Sequence, residues 1–278
     1  MRVVVVEGSD AGISAGRRRE PSPAADRPVL WRRLAAEALG TGLLVTAVVG
    51  SGIAAAGLSP SDVGLQLLEN AAATATALAV IILLVGPVSG AHLNPVISLV
   101  DWWFGKGRAA GLTLGEVAAY AAAQVGGGIA GAVLANLMFD LPAVDWSAKQ
   151  RSGSHLWLAE AVATAGLVAV VFALARSGRA RLSAAAVGGY IGSAYFFTSS
   201  TSFANPAVTV ARAFTDTFAG IAPGSVPPFV LAQVAGAVVG AFVVIVLYPD
   251  AGAGAGAVVV PHDAGQAAGA ALDGGAAS

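Results

Sequence analysis

Hydrophobic positions in this chain run in long blocks, without the polar residue every turn that marks the outer face of a soluble helix. No Asp, Glu, Lys or Arg occurs in 38–61, 70–100, 117–139, 182–211 or 217–249, and 152–175 holds Glu160 alone. Each block exceeds the ~20 residues that carry a helix across a bilayer. The pattern predicts a polytopic helical membrane protein with six spans, at about 34–56, 66–86, 115–138, 155–175, 182–199 and 227–248. Two blocks are too long for one span each: 70–100 and 182–211 have room for a span plus a half-span that enters the membrane and stops.

Composition fits that picture. Of 278 residues 56% are hydrophobic and 11% charged, which excludes a disordered chain and argues against a water-soluble enzyme. Cysteine is absent, so disulfides, thiolate metal sites and catalytic thiols are excluded together. The three histidines, His92, His155 and His262, have no metal-ligand spacing, and no cofactor motif is present. A net charge of −1 carries no nucleic-acid signature. Thirty-six glycines suit closely packed membrane helices.

Charge also orients the chain. With the N-terminus inside, twelve of the fifteen Lys and Arg fall in inner segments: Arg2, Arg17, Arg18, Arg19, Arg27, Arg32, Arg33, Lys106, Arg108, Arg176, Arg179 and Arg181. Lys149 and Arg151 fall outside, and Arg212 lies in the second overlong block's re-entrant segment. This asymmetry puts both termini in the cytoplasm. Residues 1–28 read as a flexible cytoplasmic arm, or as sequence ahead of a later start, since Val3–Val6 is too short for a signal-peptide core. Residues 250–278, rich in Ala and Gly, read as a disordered tail, leaving 29–249 as the spanning domain.

The two halves echo each other. Glu37-Ala38-Leu39-Gly40-Thr41 matches Glu160-Ala161-Val162-Ala163-Thr164, Asn94-Pro95 matches Asn205-Pro206, and Ala123-Gln124-Val125 matches Ala232-Gln233-Val234. Three spans per repeat (about 30–140 and 152–249) is an odd number, so the second half enters from the opposite face. Inverted repeats place the functional site near the membrane midplane.

Asn-Pro alone is a weak signal, often only a turn. Here Asn is a favoured N-cap, Pro is favoured at the first helical position, and apolar residues follow in both copies. Each copy therefore reads as the start of a short helix inside the membrane. Inversion points the two starts at each other, so free N–H groups and positive dipole ends meet at mid-depth. Unsatisfied backbone there is tolerable only where it lines a wet cavity.

These features together resemble the aquaporin, or major intrinsic protein, family. The residues that carry the resemblance are Ser89-Gly90-Ala91-His92-Leu93-Asn94-Pro95-Val96, Asn205-Pro206-Ala207, the pair Glu37 and Glu160, and the pair Gln124 and Gln233, and it covers about 30–248. It implies an all-α membrane protein: an aquaporin-like right-handed bundle of six transmembrane helices plus two re-entrant half-helices. It further implies a homotetramer in a bacterial inner membrane, with one passive pore per subunit, no cofactor and no enzymatic activity. Val96 stands where the family's first motif has Ala, a change in local packing only. The resemblance gives Glu37 and Glu160 the task of holding the re-entrant loops. Gln124 and Gln233 are carried over as their buried companions, and His92 as a hydrogen-bonding structural residue. Trp102, Trp103, Trp146 and Trp157 read as interfacial belt residues.

By the family's spacing from the two Asn residues, the outer constriction falls on Thr74, Ser193, Ser202 and Val208. Water-selective and glycerol-conducting members keep an Arg where this chain has Val208. Arg212, four residues later, falls on much the same helical face but ~6 Å further along, outside that constriction, with Asp216 at i+4 as an available ion-pair partner. Small side chains widen the constriction, and its hydroxyls suit a compact neutral solute with several OH groups. Glycerol and arsenite as As(OH)₃ fit, with water alongside. The run Thr201 to Ala222 also looks like bacterial aquaporins found with arsenic-resistance genes. Two other readings stay open: an ordinary water or glycerol channel, and a secondary transporter, which would need an intramembrane ion site.

Overall fold

The structure is a computed structural model that describes residues 27–106 and 111–249; the arm and tail expected at 1–28 and 250–278 lie outside the described residues except for 27 and 28. Eight α-helices are present among the described residues: α1 (Leu30–Leu58), α2 (Val63–Ser89), α3 (Pro95–Gly105), α4 (Leu114–Met138), α5 (Ser154–Arg176), α6 (Ser183–Phe197), α7 (Pro206–Ala211) and α8 (Val226–Leu247). Five of them, α1, α2, α4, α5 and α8, are long and apolar enough to cross a membrane. The sixth span, α6, has 15 residues and is prefaced by a 3-10 turn at Ala180–Leu182. It stops at Phe197 because the chain must leave the helix there to reach the second re-entrant loop.

Local chemistry sets several boundaries. Asp62 caps α2 by accepting from Leu65 N–H at 2.9 Å. Thr113 and Glu116 form a reciprocal capping box at the start of α4, and Glu116 also pairs with Arg33 of α1. Helix α2 ends at Gly90, whose φ of +87° turns the chain into the first re-entrant loop.

The inverted repeat is visible in the packing. Helix α1 packs on α4 and α2, α5 on α8 and α6, and α2 meets α6 at the join between halves. The α1–α4 seam is closed by Gly127 and Gly131 lying against the backbone of Ala38 and Gly42. The α5–α8 seam is closed in the same way, by Gly236 and Gly240 lying against Ala161 and Ala165. Small residues let the backbones approach this closely. Large apolar side chains such as Leu83, Leu231 and Phe242 stay exposed on the outer surface, as the lipid-facing side of a bundle requires.

Candidate functional site

The two short helices α3 and α7 begin at Asn94 and Asn205 and approach each other inside the bundle. Each Asn uses both ends of its carboxamide. The oxygens cap their own helices: Asn94 Oδ1 accepts from Val96 N–H at 3.1 Å, and Asn205 Oδ1 from Ala207 and Val208 N–H at 3.0 and 3.3 Å. The amino groups cross over: Asn94 donates to the Ala204 carbonyl at 2.8 Å and Asn205 to the Leu93 carbonyl at 2.7 Å. Pro95 and Pro206 occupy the first helical positions, where no N–H is needed.

The loops that deliver these caps are strained in matching places. Ala91 and Leu93 in the first loop, and Ser202 and Ala204 in the second, hold φ between +49° and +53°. Non-glycine residues in that region cost about 1–2 kcal/mol each and persist only where other contacts hold them. Buried carboxylates supply the contacts. Glu37 accepts from His92 and Leu93 N–H at 3.0 and 2.6 Å and from Gln124 at 2.7 Å. Glu160 accepts from Phe203 and Ala204 N–H, both at 2.9 Å, and from Gln233 at 2.6 Å. The two glutamines also reach the half-helices, through Ser98 at 3.3 Å and Thr209 at 2.8 Å. With both carboxylates turned to backbone N–H groups, neither is positioned as a proton relay.

A cavity of about 60 Å³ runs along the junction. That is several times the ~10–15 Å³ a single water needs, so it accommodates a short column of waters. Its wall follows the repeat. Helix α1 contributes Leu44 and Val48, and α5 the equivalent Leu167 and Val171. Helix α2 contributes Thr74, Leu78 and Ile82, and α6 contributes Val187, Ile191 and Tyr195, both at i, i+4, i+8 spacing. Asn94, Asn205 and His92 complete the middle and one end. His92 Nδ1 lies 3.0 Å from Ser98 Oγ, and its ring packs on Tyr120.

Three of the four residues expected at the constriction, Thr74, Ser202 and Val208, border this cavity. Ser193 does not: it is exposed on the outer side of α6, its hydroxyl bonded to the Tyr190 carbonyl at 2.9 Å. Two residues along a helix is a rotation of ~200°, so Tyr195, not Ser193, faces inward. Tyr195 donates its hydroxyl to Thr74 Oγ1 at 3.2 Å, tying α6 to its neighbour α2 along the cavity wall. The i+4 ladder on α6 contained this signal, because the repeat maps Ile82 onto Tyr195.

A second correction concerns Arg212. It reaches the same cavity as Val208 and makes no ion pair with Asp216. Helix α7 ends at Ala211 and the chain becomes extended at Thr215, so an i, i+4 helical geometry does not exist there. Arg212 Nε donates instead to the Ala219 carbonyl, and Asp216 accepts from Ala148 N–H at 2.9 Å and the Ser147 hydroxyl at 3.3 Å. The guanidinium of Arg212 sits 3.5 Å from the centroid of Phe203, and that of Arg151 sits 4.9 Å from the same ring. Arg151 belongs to the α4–α5 connection, which folds back over the pore end through its bonds to the Gly220 and Ser200 carbonyls. Lys149 in that connection donates to the Phe218 carbonyl at 2.8 Å. Desolvation against the surrounding protein, then the neighbouring Arg151 and Arg212, push its pKa down to about 8 against the opposite pull of Asp216.

Of the expected belt residues, Trp103, Trp146 and Trp157 are exposed, whereas Trp102 packs partly into a small cluster with Tyr120 and Leu112. Among the described residues no group of three His, Asp or Glu could hold a metal ion.

Residues 24–202 match the family model "Major intrinsic protein". The chain is 54% identical over 209 residues to the aquaglyceroporin AqpS of Rhizobium meliloti (strain 1021), covering 75% of this chain and 87% of that one. It is 30% identical over 178 residues to a glycerol uptake facilitator protein of Pseudomonas aeruginosa, covering 56% and 61% of the two chains. Its fold matches the X-ray structure of the aquaglyceroporin from Plasmodium falciparum with a TM-score of 0.60 at 19% identity, over 80% of this chain and 98% of that chain.

Proposed function

The chain belongs to the major intrinsic protein family, and from that premise we propose that its pore passes compact neutral solutes carrying several hydroxyls, glycerol and As(OH)₃ among them, together with water. At the coarser level it is a multi-pass membrane channel for small neutral solutes and not an enzyme. The observation that carries the finer reading is the wall of the cavity beyond the two Asn residues. There Thr74 and Tyr195 contribute hydroxyls and Val208 a short apolar side chain to the same cavity wall. Thr74 Oγ1 accepts from Tyr195 and keeps its own proton to offer to a solute oxygen. A channel of this kind pairs hydroxyl-bearing solutes on one side and slides their carbon or arsenic edge along the other. The similarity to an aquaglyceroporin supports the same solute class.

Transport is passive in this reading. Both buried glutamates are committed to the loops, so neither is available as the coupling site a secondary transporter would need. The half-helix dipoles and the two Asn donors make the middle of the pore positive, which opposes cations and protons. The termini lie on the cytoplasmic side by the Lys and Arg distribution, and the family resemblance supports a homotetramer.

The test is stopped-flow volume recovery of proteoliposomes holding the full chain, with water, glycerol and arsenite compared. Wild type is expected to pass all three. Thr74→Phe combined with Val208→Arg is expected to cut glycerol and arsenite flux more than water flux. Wild-type vesicles that conduct water alone would overturn the solute class, and an equal loss of all three fluxes in the variant would remove the filter role.

A further inference from the structure

Spacing from the motifs gives a filter without arginine, yet the cavity contains one. Arg212 stands one turn beyond Val208, at 2% exposure, and both border the same space. Only its Nε has a hydrogen-bond acceptor, the Ala219 carbonyl; its two terminal amino groups have none among the described residues. The buried polar atoms that are both sealed from solvent and unpartnered lie elsewhere, Ser202 Oγ included, so the terminal nitrogens of Arg212 border open space. Among the described residues no acid neutralises the charge at contact distance. Glu160 is taken by Phe203, Ala204 and Gln233, and Asp216 by Ser147 and Ala148. Phe203 and the Ala219 carbonyl fix the guanidinium in place, and Arg151, 4.9 Å from the centroid of the same ring, adds a second positive charge.

We propose that Arg212 is the charge-selecting residue of this pore, a fixed cation that repels protons and cations while its free N–H edge donates to passing solute oxygens. Size and charge are then set at two levels. Thr74, Tyr195 and Val208 fix the width, and Arg212, one turn further along, fixes the sign. The arrangement separates the two tasks, because an uncompensated charge in a low-dielectric wall acts across the whole bore. This inference rests on the channel reading above only in that solute passes this cavity; it holds for water as for polyols.

The experiment compares Arg212→Gln, which removes the charge, with Arg212→Lys, which keeps it, in proteoliposomes of the full chain. Proton leak down a pH gradient and methylammonium entry are measured, each divided by the osmotic water flux of the same vesicles. Arg212→Gln is expected to raise both ratios about tenfold or more, and Arg212→Lys to stay near wild type. Adding Val208→Arg to Arg212→Gln is expected to restore exclusion while narrowing the pore to glycerol. Water flux near wild type with unchanged leak ratios in Arg212→Gln would overturn the proposal. If Arg212→Gln does not fold, Val208→Glu leaves Arg212 in place and sets a carboxylate one turn away. The same rise in leak is then expected, and its absence in vesicles that still conduct water overturns the proposal equally. Wild-type vesicles that pass water but neither glycerol nor arsenite would refute the solute class while leaving the leak comparison intact.

Discussion

Gly131→Ala tests whether backbone contact between α1 and α4 holds the pore loops in place. A Cβ built on Gly131 stands 2.9 Å from the carbonyl carbon and 3.0 Å from the Cα of Gly42, and nearer still to the oxygen. Ordinary carbon contacts lie at about 3.5–4.0 Å, so the helices must part by about 0.5–1 Å, and no flexible side chain can yield instead. Overpacking of this kind costs about 1–3 kcal/mol. The seam has little slack, because the Thr46 hydroxyl bridges the carbonyls of Gly42 and Gly131 at 2.9 and 3.1 Å. The same displacement reaches the site. Glu37 lies on α1 less than two turns from Gly42 and holds the His92 and Leu93 N–H groups at 3.0 and 2.6 Å; lengthening those bonds by half an ångström or more breaks at least one of them. The expected result is an apparent Tm lower by roughly 3–10 °C in detergent, with reduced water flux in proteoliposomes. Gly126→Ala is the control: it sits on the same helix with nothing within 4 Å of the added atom, and it gains helix propensity. If the two variants melt within about a degree of each other and conduct alike, close backbone contact is not what positions Glu37.

Three further outcomes are expected. Tyr195→Phe removes the hydroxyl bonded to Thr74 and is expected to cost about 1 kcal/mol and lower the glycerol-to-water flux ratio, while Ser193→Ala changes neither. Glu160→Gln turns an amino group toward one of two backbone donors, and a thermal-shift assay is expected to register a loss of about 3 kcal/mol or failure to assemble. Lys149 has its folded pKa lowered to about 8 from 10.5, so the unfolded chain binds more protons between those values. Its burden is therefore full below pH 8 and is relieved as pH rises toward 10.5, and a Tm-versus-pH series in which Lys149→Met abolishes that rise checks it.

The spans, the repeat and the Asn-Pro pair were legible because each leaves a local signature in composition or spacing. Blocks without charge located the helices, and their excess length revealed the half-helices now seen at Pro95–Gly105 and Pro206–Ala211. The constriction was only partly legible. Thr74, Ser202 and Val208 follow from counting, but Ser193 lost to Tyr195 because inward direction is decided by helical phase, and a count inherited from relatives shifts by two residues with the helix end. Arg212 escaped for a different reason. An i+4 partner presumes a continuous helix, whereas α7 ends at Ala211 and the 3-10 turn after it sends the guanidinium to Phe203 and the Ala219 carbonyl. Contacts made after a helix ends belong to the tertiary fold and leave no period in the sequence.

The crossed amides of Asn94 and Asn205 have a consequence for biosynthesis. Asn94 meets its acceptor on Ala204, 110 residues downstream, and the Leu93 carbonyl waits for a donor 112 residues away. At about 5–20 residues per second, the first half-helix exists for on the order of ten seconds before its counterpart is made. Throughout that interval it carries polar backbone that lipid cannot satisfy. A ribosome that stalls between the halves therefore leaves a chain with an unseated loop and no pore, visible to membrane quality control as an exposed polar kink. Completion of the second half is what turns that defect into a channel.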